Sequence, residues 1–540
     1  MSLRRGEGNP NAKVLGTLCC GNPYLLVLCL LMQKQLKAEI KRLCRRMWAK
    51  ERSKQNRNIE FQKKFMKRTG RKGVISVSKA PKNYHHKHFD PIYCCRNANF
   101  IAKTIWHKIL TESYKPLPAY NFQIPKPSGG HRSVMSFSIP DAALTNVMLR
   151  KARDRNLKRL SPFSYAYHPD LNLFDAVLAL RGFITEKQLY SVQIDFQKYF
   201  DTIPTRYLIN LIDDKNKLSL TPHEKYVFKE FLHHQFGDSA AYASGKFLRR
   251  HIGTPQGCSL SLLLANLAND DLDRALERRS GRFVRFADDV VALCDTYEEA
   301  QGLQQAFVSH CANSGLVINK KKSPGIAIIS NEDAEIRTFE HFDYLGYRFT
   351  KNGLTVPTHV ESRIKSKISR LCHVYLIHYP QKFDFARSRS NSVAKDWDLM
   401  GLIGEIRGYL YGGLHENEIR NFLYNGEKLQ QMKGLMGFYA LIDDKSALQR
   451  LDGWLVNNLR RVMIKRNQML KKMYPTSYGC PTPSNEQLIL GDWFDPKHWR
   501  GDGDIPNTQI PSFVRGWRAA RKYYFTFGLE DVEPPHYGYY

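Results

Sequence analysis

The stretch Arg285-Phe286-Ala287-Asp288-Asp289-Val290-Val291-Ala292-Leu293 places two adjacent carboxylates between runs that are apolar apart from Arg285. The alternating β-favouring residues before the pair and the Val-Val-Ala-Leu run after it predict two strands joined by a tight turn, with the acids at its tip. Neighbouring ionised carboxylates are costly to bury unless a cation neutralises them, and oxygen ligands suit magnesium. The pair therefore indicates a metal site, with an ordinary surface turn as the alternative.

A third carboxylate follows a second predicted strand. Residues 191–194 favour a strand, Asp195 comes directly after it, and an aromatic pair and a helical turn follow. Between the two acidic segments, residues 253–261 form a turn-rich loop that opens an apolar helix predicted for residues 262–276. Glycines in such a loop allow the backbone to approach a phosphate or a nucleic-acid strand closely. The two acidic segments and the loop together indicate a nucleotide or nucleic-acid site.

Further segments fall into an order that resembles a known family. They are Ile124-Pro125-Lys126-Pro127-Ser128-Gly129-Gly130-His131-Arg132 (a fingers motif), residues 165–169 with Asp175-Ala176, residues 195–201 (motif A), 254–266 (motif B), 286–289 (motif C), 315–323 (motif D) and 342–347 (motif E). These seven ordered segments resemble the reverse transcriptases, and within them the bacterial enzymes related to group II intron, retron and abortive-infection polymerases, most closely the defence-associated ones. The resemblance covers roughly residues 95–465.

The resemblance implies an α+β fold, the right-hand polymerase arrangement of fingers, a palm with an antiparallel sheet, and a helical thumb. We expect a basic N-terminal extension and linker over residues 1–83, fingers and palm over 84–355, a helical thumb over 356–470 and a C-terminal extension over 471–540. Helical patterns at 359–379, 397–411 and 451–465 fit the thumb. Arg460 and Arg461 in the last of these are expected to contact nucleic-acid phosphates, which position a duplex without reading its sequence.

The resemblance also implies catalysis with two Mg²⁺ ions, with Mn²⁺ as an alternative. Asp195, Asp288 and Asp289 correspond to the catalytic, metal-binding carboxylates, and the backbone carbonyl of Phe196 to a further ligand. In a two-metal mechanism the ions lie about 4 Å apart, activate the attacking 3′-hydroxyl and stabilise the leaving pyrophosphate. We expect Asp201 to cap the following turn rather than to bind metal.

Five residues correspond to dNTP-binding positions of the family. Lys126 and Arg132 would contact triphosphate oxygens, Arg132 in bidentate geometry, with a solvated fingers loop as the alternative. Phe200 stands at the aromatic steric gate that favours dNTPs over ribonucleotides, with packing in the palm core as the alternative. Gln256 would support the incoming nucleotide and the template base. Lys322 would assist pyrophosphate departure, although it ends a run of three lysines that also fits a plain basic surface.

Three positions depart from the common family pattern. After the Gln-Gly pair, Cys258-Ser259 and then Leu262 replace Ser-Pro and a second Pro, which leaves the template contacts open. Phe286 stands in place of the usual Tyr and keeps the ring without the hydroxyl. His168 stands where relatives often have Arg, so that a phosphate contact there would be weaker or pH-dependent.

Composition and the N-terminal segment agree with a nucleic-acid partner. The formal net charge of +31 over 540 residues and a pI near 9.6 indicate a polyanion, because Lys and Arg gain affinity by releasing phosphate counterions. Residues 33–72 are basic and carry a helical apolar stripe of Leu36, Ile40, Leu43, Met47 and Trp48. This pattern favours a helix that lies on RNA and packs on the fingers, with a membrane surface as the competing partner.

Other sequence features argue against a membrane span and a zinc site. The apolar run at 24–32 is too short to span a bilayer, so we expect no membrane partner. The 11 cysteines contain no Cys-x-x-Cys pair and are expected to be reduced thiols in a cytoplasmic protein. Residues 69–83 fit a linker, and the Pro-, Gly- and Tyr-rich tail from residue 474 has no assignable pattern.

Three functions remain in competition. The first is an RNA-directed DNA polymerase that makes cDNA from a dedicated non-coding RNA with dNTPs in bacterial antiphage defence, with a homo-oligomer left open. The second is a retron enzyme or a group II intron maturase without an endonuclease domain, since the tail has only Cys480. The third is a catalytically silent RNA-binding scaffold, which the three aspartates disfavour. The terminal tyrosines, residues 537, 539 and 540, also prompt a hypothesis of protein-primed synthesis.

Overall fold

The computed structural model describes residues 23–69, 73, 75, 84–125, 130–184, 189–279, 282–329, 338–382, 396–475, 482–498, 507–528 and 532. The α-helices there are α1 Pro23–Thr69, α2 Pro91–Arg96, α3 Ala98–Leu110, α4 Ile139–Asn156, α5 Leu173–Gly182, α6 Tyr199–Thr202, α7 Thr205–Asp213, α8 Pro222–Leu232, α9 Ser239–Ser244, α10 Ser259–Ala268, α11 Asp270–Glu277, α12 Tyr297–Ser314, α13 Thr358–Cys372, α14 Tyr379–Lys382, α15 Trp397–Tyr411, α16 Glu416–Arg420, α17 Leu435–Phe438, α18 Ser446–Met473, α19 Asn485–Leu490 and α20 Phe513–Phe527. The strands are β1 Ala119–Pro125, β2 His131–Ser136, β3 Leu189–Ile194, β4 Gln235–Gly237, β5 Leu248–Arg249, β6 Phe283–Phe286, β7 Asp289–Cys294, β8 Gly325–Ile329, β9 Thr338–Phe339, β10 His341–Tyr344, β11 Tyr347–Thr350 and β12 Gly353–Thr355. Two π-helical turns, His373–His378 and Asn421–Asn425, extend α13 and α16.

The described residues divide into two compact units. The first takes those within Met1–Asn56, Ser78–Leu171 and Ser191–Ile326, and the second takes those within Arg57–Val77, Asn172–Tyr190 and Ala327–Tyr540. These units follow contacts rather than the four segments expected from the sequence, whose boundaries stay a prediction. The mixed helix and sheet content confirms the expected α+β class.

A five-stranded sheet carries the acidic segments. Its strand order is β6-β7-β3-β8-β9, with β6 and β7 antiparallel and β8 and β9 parallel. The inner faces of β6 and β7 are fully buried, because the Val-Val-Ala-Leu run and Phe283 and Val284 supply apolar side chains there. The predicted strand, tight turn and strand around Asp288 are therefore confirmed, as is the strand that ends just before Asp195.

A second sheet, of order β2-β1-β4-β5, lies in the first unit. β1 and β2 form an antiparallel hairpin whose register pairs Ile124 with Arg132. Lys126, which the sequence assigned to nucleotide binding, lies outside the described residues. Arg132 is the second residue of β2, at the end of the hairpin where β1 finishes.

The basic N-terminal helix α1 packs along only part of its predicted stripe. Leu36 and Ile40 are buried and Leu43 is half-buried, whereas Met47 and Trp48 are exposed. The prediction that the stripe is buried throughout is wrong for those two residues, because the buried contacts of the described helix lie nearer its N-terminus. The linker expected at 69–83 lies outside the described residues except for Thr69, Gly73 and Ile75.

The buried part of α1 is fixed to α4 through Glu39. The Glu39 carboxylate accepts hydrogen bonds from Arg42 at 2.5 Å, from Asn146 at 2.8 Å and from Arg150 at 3.3 Å. Burial by itself would raise the pKa of Glu39, but these hydrogen bonds and charges lower it to about 2. Glu39 thus stays ionised and links α1 to α4 through charged and polar contacts.

The helix predicted for residues 262–276 is interrupted, so that prediction is wrong in its continuity. Asn269 ends α10 and precedes α11, with backbone angles outside the helical region. Its side-chain oxygen lies 3.0 Å from Nε2 of His310 on α12. The apolar spacing continues through the break, which is why periodicity alone predicted one helix.

The second unit contains the three helices that the sequence predicted between residues 359 and 465, and part of the tail. α13, α15 and α18 correspond to the three predicted helical patterns. The Asp452 carboxylate on α18 accepts hydrogen bonds from Ser512 Oγ at 2.7 Å and from the backbone N–H groups of Phe513 and Val514 at 2.6 and 3.2 Å. The tail helix α20 therefore begins on a carboxylate supplied by α18, an arrangement that the sequence did not reveal.

Two further expectations concern membranes and thiols. Across the described ranges, no helix is both long and apolar enough to cross a membrane. Cys44, Cys94, Cys95, Cys258, Cys294, Cys311 and Cys372 are free thiols. The terminal tyrosines lie outside the described residues.

Candidate active site

The acidic hairpin formed by β6 and β7 has a two-residue loop. Phe286 pairs with Asp289 across β6 and β7, which leaves Ala287 and Asp288 as the two loop residues. Ala287 has a φ of 61°, in the left-handed region that a residue with a Cβ seldom adopts. The hairpin thus presents Asp288 at its tip and Asp289 at the start of β7, on a backbone that neighbouring groups must hold in place.

The group that holds this turn is the guanidinium of Arg285, whose side chain is 1% exposed. Its Nη1 donates to the Ala287 carbonyl at 3.1 Å and to Asn266 Oδ1 at 2.8 Å. Its Nε donates to Asp273 Oδ1 at 2.7 Å, and the Asp273 side chain is also 1% exposed. A buried bidentate ion pair on α11 and an amide on α10 therefore fix the backbone of the acidic turn.

The sequence singled out Arg285 as the charged exception in an apolar run but did not find its partners. A cation in a buried strand requires a buried anion, and this could have directed attention to the acidic residues of the preceding helix. Of the acids at 270, 271, 273 and 277, only the structure shows that Asp273 is the partner.

Asp195 stands directly after β3 and is positioned by the segment around motif D. Its backbone N–H donates to Ser323 Oγ at 3.0 Å, and its carbonyl accepts from the Asn319 N–H at 2.8 Å. The next residue, Phe196, is buried and forms a β-bridge with Ile318. These contacts hold the backbone on both sides of the Asp195 carboxylate and leave that carboxylate partly exposed.

Lys322 binds the Asp195 carboxylate, with Nζ 3.1 Å from Oδ2. The hydrogen bond and charge of Asp195, with smaller effects of Asp289 and Asp288, raise the pKa of Lys322. Burial and the charge of Asp195 raise the pKa of Asp288. Desolvation by the surrounding protein and the charges of Asp288 and Asp195 raise the pKa of Asp289 to about 6. The three predicted aspartates therefore share one electrostatic site, in which Lys322 pairs directly with Asp195.

The donor chemistry of this site suits Mg²⁺. The charge of Asp195 raises the pKa of Asp288, and the charges of Asp288 and Asp195 raise that of Asp289, so the three carboxylates form a concentrated set of hard oxygen donors whose repulsion a divalent cation would relieve. In the part of the chain that the structure describes, no three His, Cys, Asp or Glu side chains stand in ready metal-binding geometry. The Asp195 carboxylate instead faces the Lys322 ammonium, so a metal ion and this ammonium would compete for it.

The glycine-rich loop before α10 contacts α6 and β2 through backbone hydrogen bonds. The N–H of Thr254 donates to the Phe200 carbonyl at 2.7 Å, and the N–H of Met135 donates to the Gln256 carbonyl at 2.8 Å. A Cβ on Gly253 would lie 2.5 Å from the Phe200 carbonyl oxygen, and one on Gly257 would lie 2.1 Å from the Met135 carbonyl oxygen. Close backbone approach therefore requires glycine at both positions.

We expect Gly257→Ala to displace this loop. Gly257 has a φ of +110°, so the substitution adds backbone strain to the collision with Met135, and stability should fall by about 1–3 kcal/mol. Urea unfolding measures the loss. Gly130→Ala is the matched control, because Gly130 has a φ of +77° but, among the described residues, no atom lies within 4 Å of an added Cβ. Equal losses for the two variants would contradict the importance of the close approach.

The other predicted residues lie as follows. Phe200 is half-buried on α6, with its ring edge-on to Tyr199 at a centroid distance of 5.8 Å. The Gln256 amide donates to Asp201 Oδ2 at 3.4 Å. Arg132 is close enough to lower the pKa of Asp288, against the larger effect of burial. Arg460 and Arg461 are exposed on α18 in the second unit.

Two sequence interpretations change on inspection of the contacts. Asp201 does not cap a turn, because its carboxylate instead pairs with Arg250 at 3.5 Å and accepts from Gln256. His168 Nδ1 accepts the backbone N–H of Asp170 at 3.1 Å, which fits a local turn. The role suggested for His168 in phosphate binding stays a prediction.

Comparison with known proteins identifies the region that contains this site. Residues 124–349 match the family model described as reverse transcriptase (RNA-dependent DNA polymerase). These residues thus form a reverse transcriptase domain, and all three candidate aspartates fall inside it. The match confirms the expected right-hand polymerase fold class for this part of the chain.

Similarity to individual proteins is more limited. The chain is 26% identical over 172 residues to the putative COX1/OXI3 intron 2 protein of Saccharomyces cerevisiae, which covers 32% of this chain and 19% of that protein. It is 23% identical over 176 residues to protein YkfC of Escherichia coli K12, covering 32% of this chain and 44% of that protein. The chain therefore spans less than half the length of either curated relative.

Among solved structures, telomerases are similar at a low level. Telomerase from Candida albicans in complex with a TWJ fragment of telomeric RNA is 12% identical, with a TM-score of 0.36 over 71% of this chain and 68% of that chain. Apo telomerase from Candida tropicalis, truncated from its C-terminal domain, is 14% identical, with a TM-score of 0.33 over 44% of this chain and 55% of that chain. Similarities of this size add nothing to the assignment.

Proposed function

We propose that this chain is an RNA-directed DNA polymerase that makes cDNA from an RNA template and dNTPs. The observation that carries the proposal is the grouping of Asp195, Asp288 and Asp289 at one electrostatic site inside the reverse transcriptase domain. The net charge of +31 supports a nucleic-acid partner.

Each residue of the site has a proposed task. Asp195 and Asp288 would hold two Mg²⁺ ions, with Asp289 and the Phe196 carbonyl in support, and Mn²⁺ as a substitute. Bound metal would supply Lewis-acid activation of the primer hydroxyl and stabilisation of the leaving pyrophosphate. Lys322, freed from Asp195, would place its ammonium beside the departing phosphates. Lys126 and Arg132 would orient the triphosphate, and Gln256 would support the paired nucleotide.

Extension of a DNA primer on an RNA template tests this assignment. We expect the wild-type chain to incorporate dNTPs and the Asp288→Ala, Asp289→Ala double variant to lose incorporation while retaining RNA binding. Undiminished incorporation by the double variant would refute the metal-binding role of the hairpin. RNA binding without incorporation by the wild-type chain would favour the scaffold function instead.

The proposed steric gate gives a separate prediction. If the Phe200 ring excludes a 2′-hydroxyl, Phe200→Ala should raise the kcat/KM for ribonucleotides relative to dNTPs by roughly ten- to a hundredfold, because the ring no longer occupies that space. Single-nucleotide incorporation measures the ratio. Phe200→Tyr keeps the ring and should retain selectivity. An unchanged ratio in Phe200→Ala would assign Phe200 to core packing.

We infer further that the template is a dedicated non-coding RNA and that the enzyme acts in the bacterial cytoplasm in antiphage defence. The support is the order of the motifs, which resembles defence-associated reverse transcriptases. The competing role is that of an intron-encoded maturase, and the similarity to a yeast protein named as an intron 2 protein favours it. A retron enzyme is the third alternative.

Sequencing the RNA and cDNA that co-purify with the chain separates these roles. A single structured RNA and its cDNA would support the dedicated template, whereas spliced or unspliced intron RNA would support the maturase. The 5′ end of the cDNA identifies the primer: a protease-sensitive shift in gel mobility would support priming by a protein hydroxyl, and a free or RNA-linked end would exclude it.

A further inference from the structure

The tail helix α20 has two chemically distinct faces. Its buried face contains Phe513, Gly516, Ala519 and Ala520. A Cβ on Gly516 would lie 2.5 Å from a Tyr411 ring carbon and 2.8 Å from Met436 Cγ, so this face packs closely on α15 and α17. This packing fixes the position of α20, so the opposite face of the helix is held in place as well.

The opposite face is basic and aromatic. Arg518, Arg521, Lys522 and Phe525 recur at the helical spacing i, i+3, i+4 and i+7, which places them on one side. The Phe525 ring is 70% exposed, and Arg518 and Lys522 are exposed. The Arg521 guanidinium lies 5.4 Å from the Phe525 ring centroid, within cation–π range.

A second exposed ring is held beside this helix. Lys522 Nζ donates to the carbonyls of Phe422 and Leu423 at 2.8 and 3.2 Å. The following residue, Tyr424, is 71% exposed. We call Arg518, Arg521, Lys522, Phe525 and Tyr424 together the tail-helix surface.

We propose that the tail-helix surface binds single-stranded RNA. Exposed rings offer stacking platforms for unpaired bases, and the adjacent cations match backbone phosphates, which is the combination that single-strand binders use. Three cations on one helix face in a chain of net charge +31 are complementary to a polyanion. The choice of RNA as the ligand rests on the proposed polymerase function, whereas the basic and aromatic character of the surface is independent of it.

The cations of the tail-helix surface differ in whether the protein itself already pairs them. Arg521 also pairs with Asp443 at 3.5 Å, so part of its charge is neutralised within the protein. The Lys522 ammonium is engaged by the carbonyls of Phe422 and Leu423, so Arg518 is the cation from which a phosphate contact is expected. Phe525 and Tyr424 would stack bases on either side of the Lys522 contact.

Fluorescence anisotropy of the full chain with a labelled oligouridylate tests the proposal. An unlabelled RNA–DNA hybrid in saturating amounts keeps the polymerase site occupied. We expect Phe525→Ala to weaken oligouridylate binding about tenfold, in the range for one stacked base, and Phe525→Trp to restore it. Arg518→Ala should reduce the slope of log affinity against log salt concentration by about one, the value for one lost phosphate contact. Phe100→Ala, which removes a ring that is 69% exposed on α3, is the matched control and should have no effect.

Three outcomes would overturn the proposal. One is an unchanged affinity in Phe525→Ala, and another is an equal loss in the Phe100→Ala control. The third is loss of a protein partner in Phe525→Ala with RNA affinity intact, which would reassign the surface to protein binding. Extension of a short primer–template should survive Phe525→Ala, so failure at this surface is distinguishable from failure of the polymerase function.

Discussion

Asp288→Asn is expected to lower single-nucleotide incorporation by roughly a thousandfold or more. The amide keeps the size of the carboxylate at the tip of the hairpin but removes the charge that would hold a divalent ion, and loss of about 4 kcal/mol of transition-state stabilisation corresponds to that factor. Quench-flow kinetics under single-turnover conditions measures the rate. Because the turn is fixed through the Ala287 carbonyl and not through the Asp288 side chain, the fold should persist.

The control for this prediction is Asp154→Asn, which removes a carboxylate that is 69% exposed on α4. It should leave the incorporation rate unchanged. A rate in Asp288→Asn within tenfold of the wild type would place the essential ligand elsewhere. A Mg²⁺ titration adds a second readout, since the variant should need more metal to reach its residual rate.

Asp273→Ala is expected to cause the largest loss of stability. The substitution leaves the guanidinium of Arg285 buried without its anion, and breaking such a pair from one side costs about 3–5 kcal/mol. In the wild-type chain Asp273 raises the pKa of Arg285 even though burial opposes its charge, and the variant loses this compensation for the buried guanidinium. Urea unfolding followed by near-ultraviolet circular dichroism measures the change in the free energy of unfolding.

Two further variants make this prediction specific. The Arg285→Met, Asp273→Leu double variant removes both charges and should lose less stability than Asp273→Ala, because no buried charge is left unpaired. It should nevertheless lose polymerase activity, since the donor to the Ala287 carbonyl is gone. Asp154→Ala breaks an exposed ion pair and should cost under about 1 kcal/mol. A stability loss in Asp273→Ala as small as this control would contradict the buried-pair account.

Local pattern predicted the elements that carry the site. Alternation of β-favouring residues around Asp288 and before Asp195 predicted the two strands and the turn, and the structure has both. These elements could be predicted from the sequence because neighbouring residues determine both strand propensity and the position of a two-residue turn. The apolar stripe of α1 was predicted for the same reason, but the burial of Met47 and Trp48 depends on what lies opposite them and was predicted wrongly.

Side-chain contacts between residues far apart in the sequence could not be predicted from local pattern. The sequence suggested a nucleotide role for Lys322 but not its pairing with Asp195, because the two residues meet only when β3 and the motif D segment come together. Asp452 gave no sign that it would cap a helix that begins 61 residues later. The break at Asn269 was missed because the contact of its side-chain oxygen is with His310, 41 residues away.

The central claim is that the site at Asp195, Asp288 and Asp289 copies RNA into DNA. Its most direct test is single-nucleotide incorporation on four RNA templates that differ only at the base opposite the incoming dNTP, with Mg²⁺ and the wild-type chain. The account predicts that each template directs its complementary dNTP and that the Asp288→Ala, Asp289→Ala double variant incorporates none. Incorporation that ignores the template base, or that persists in the double variant, would contradict it.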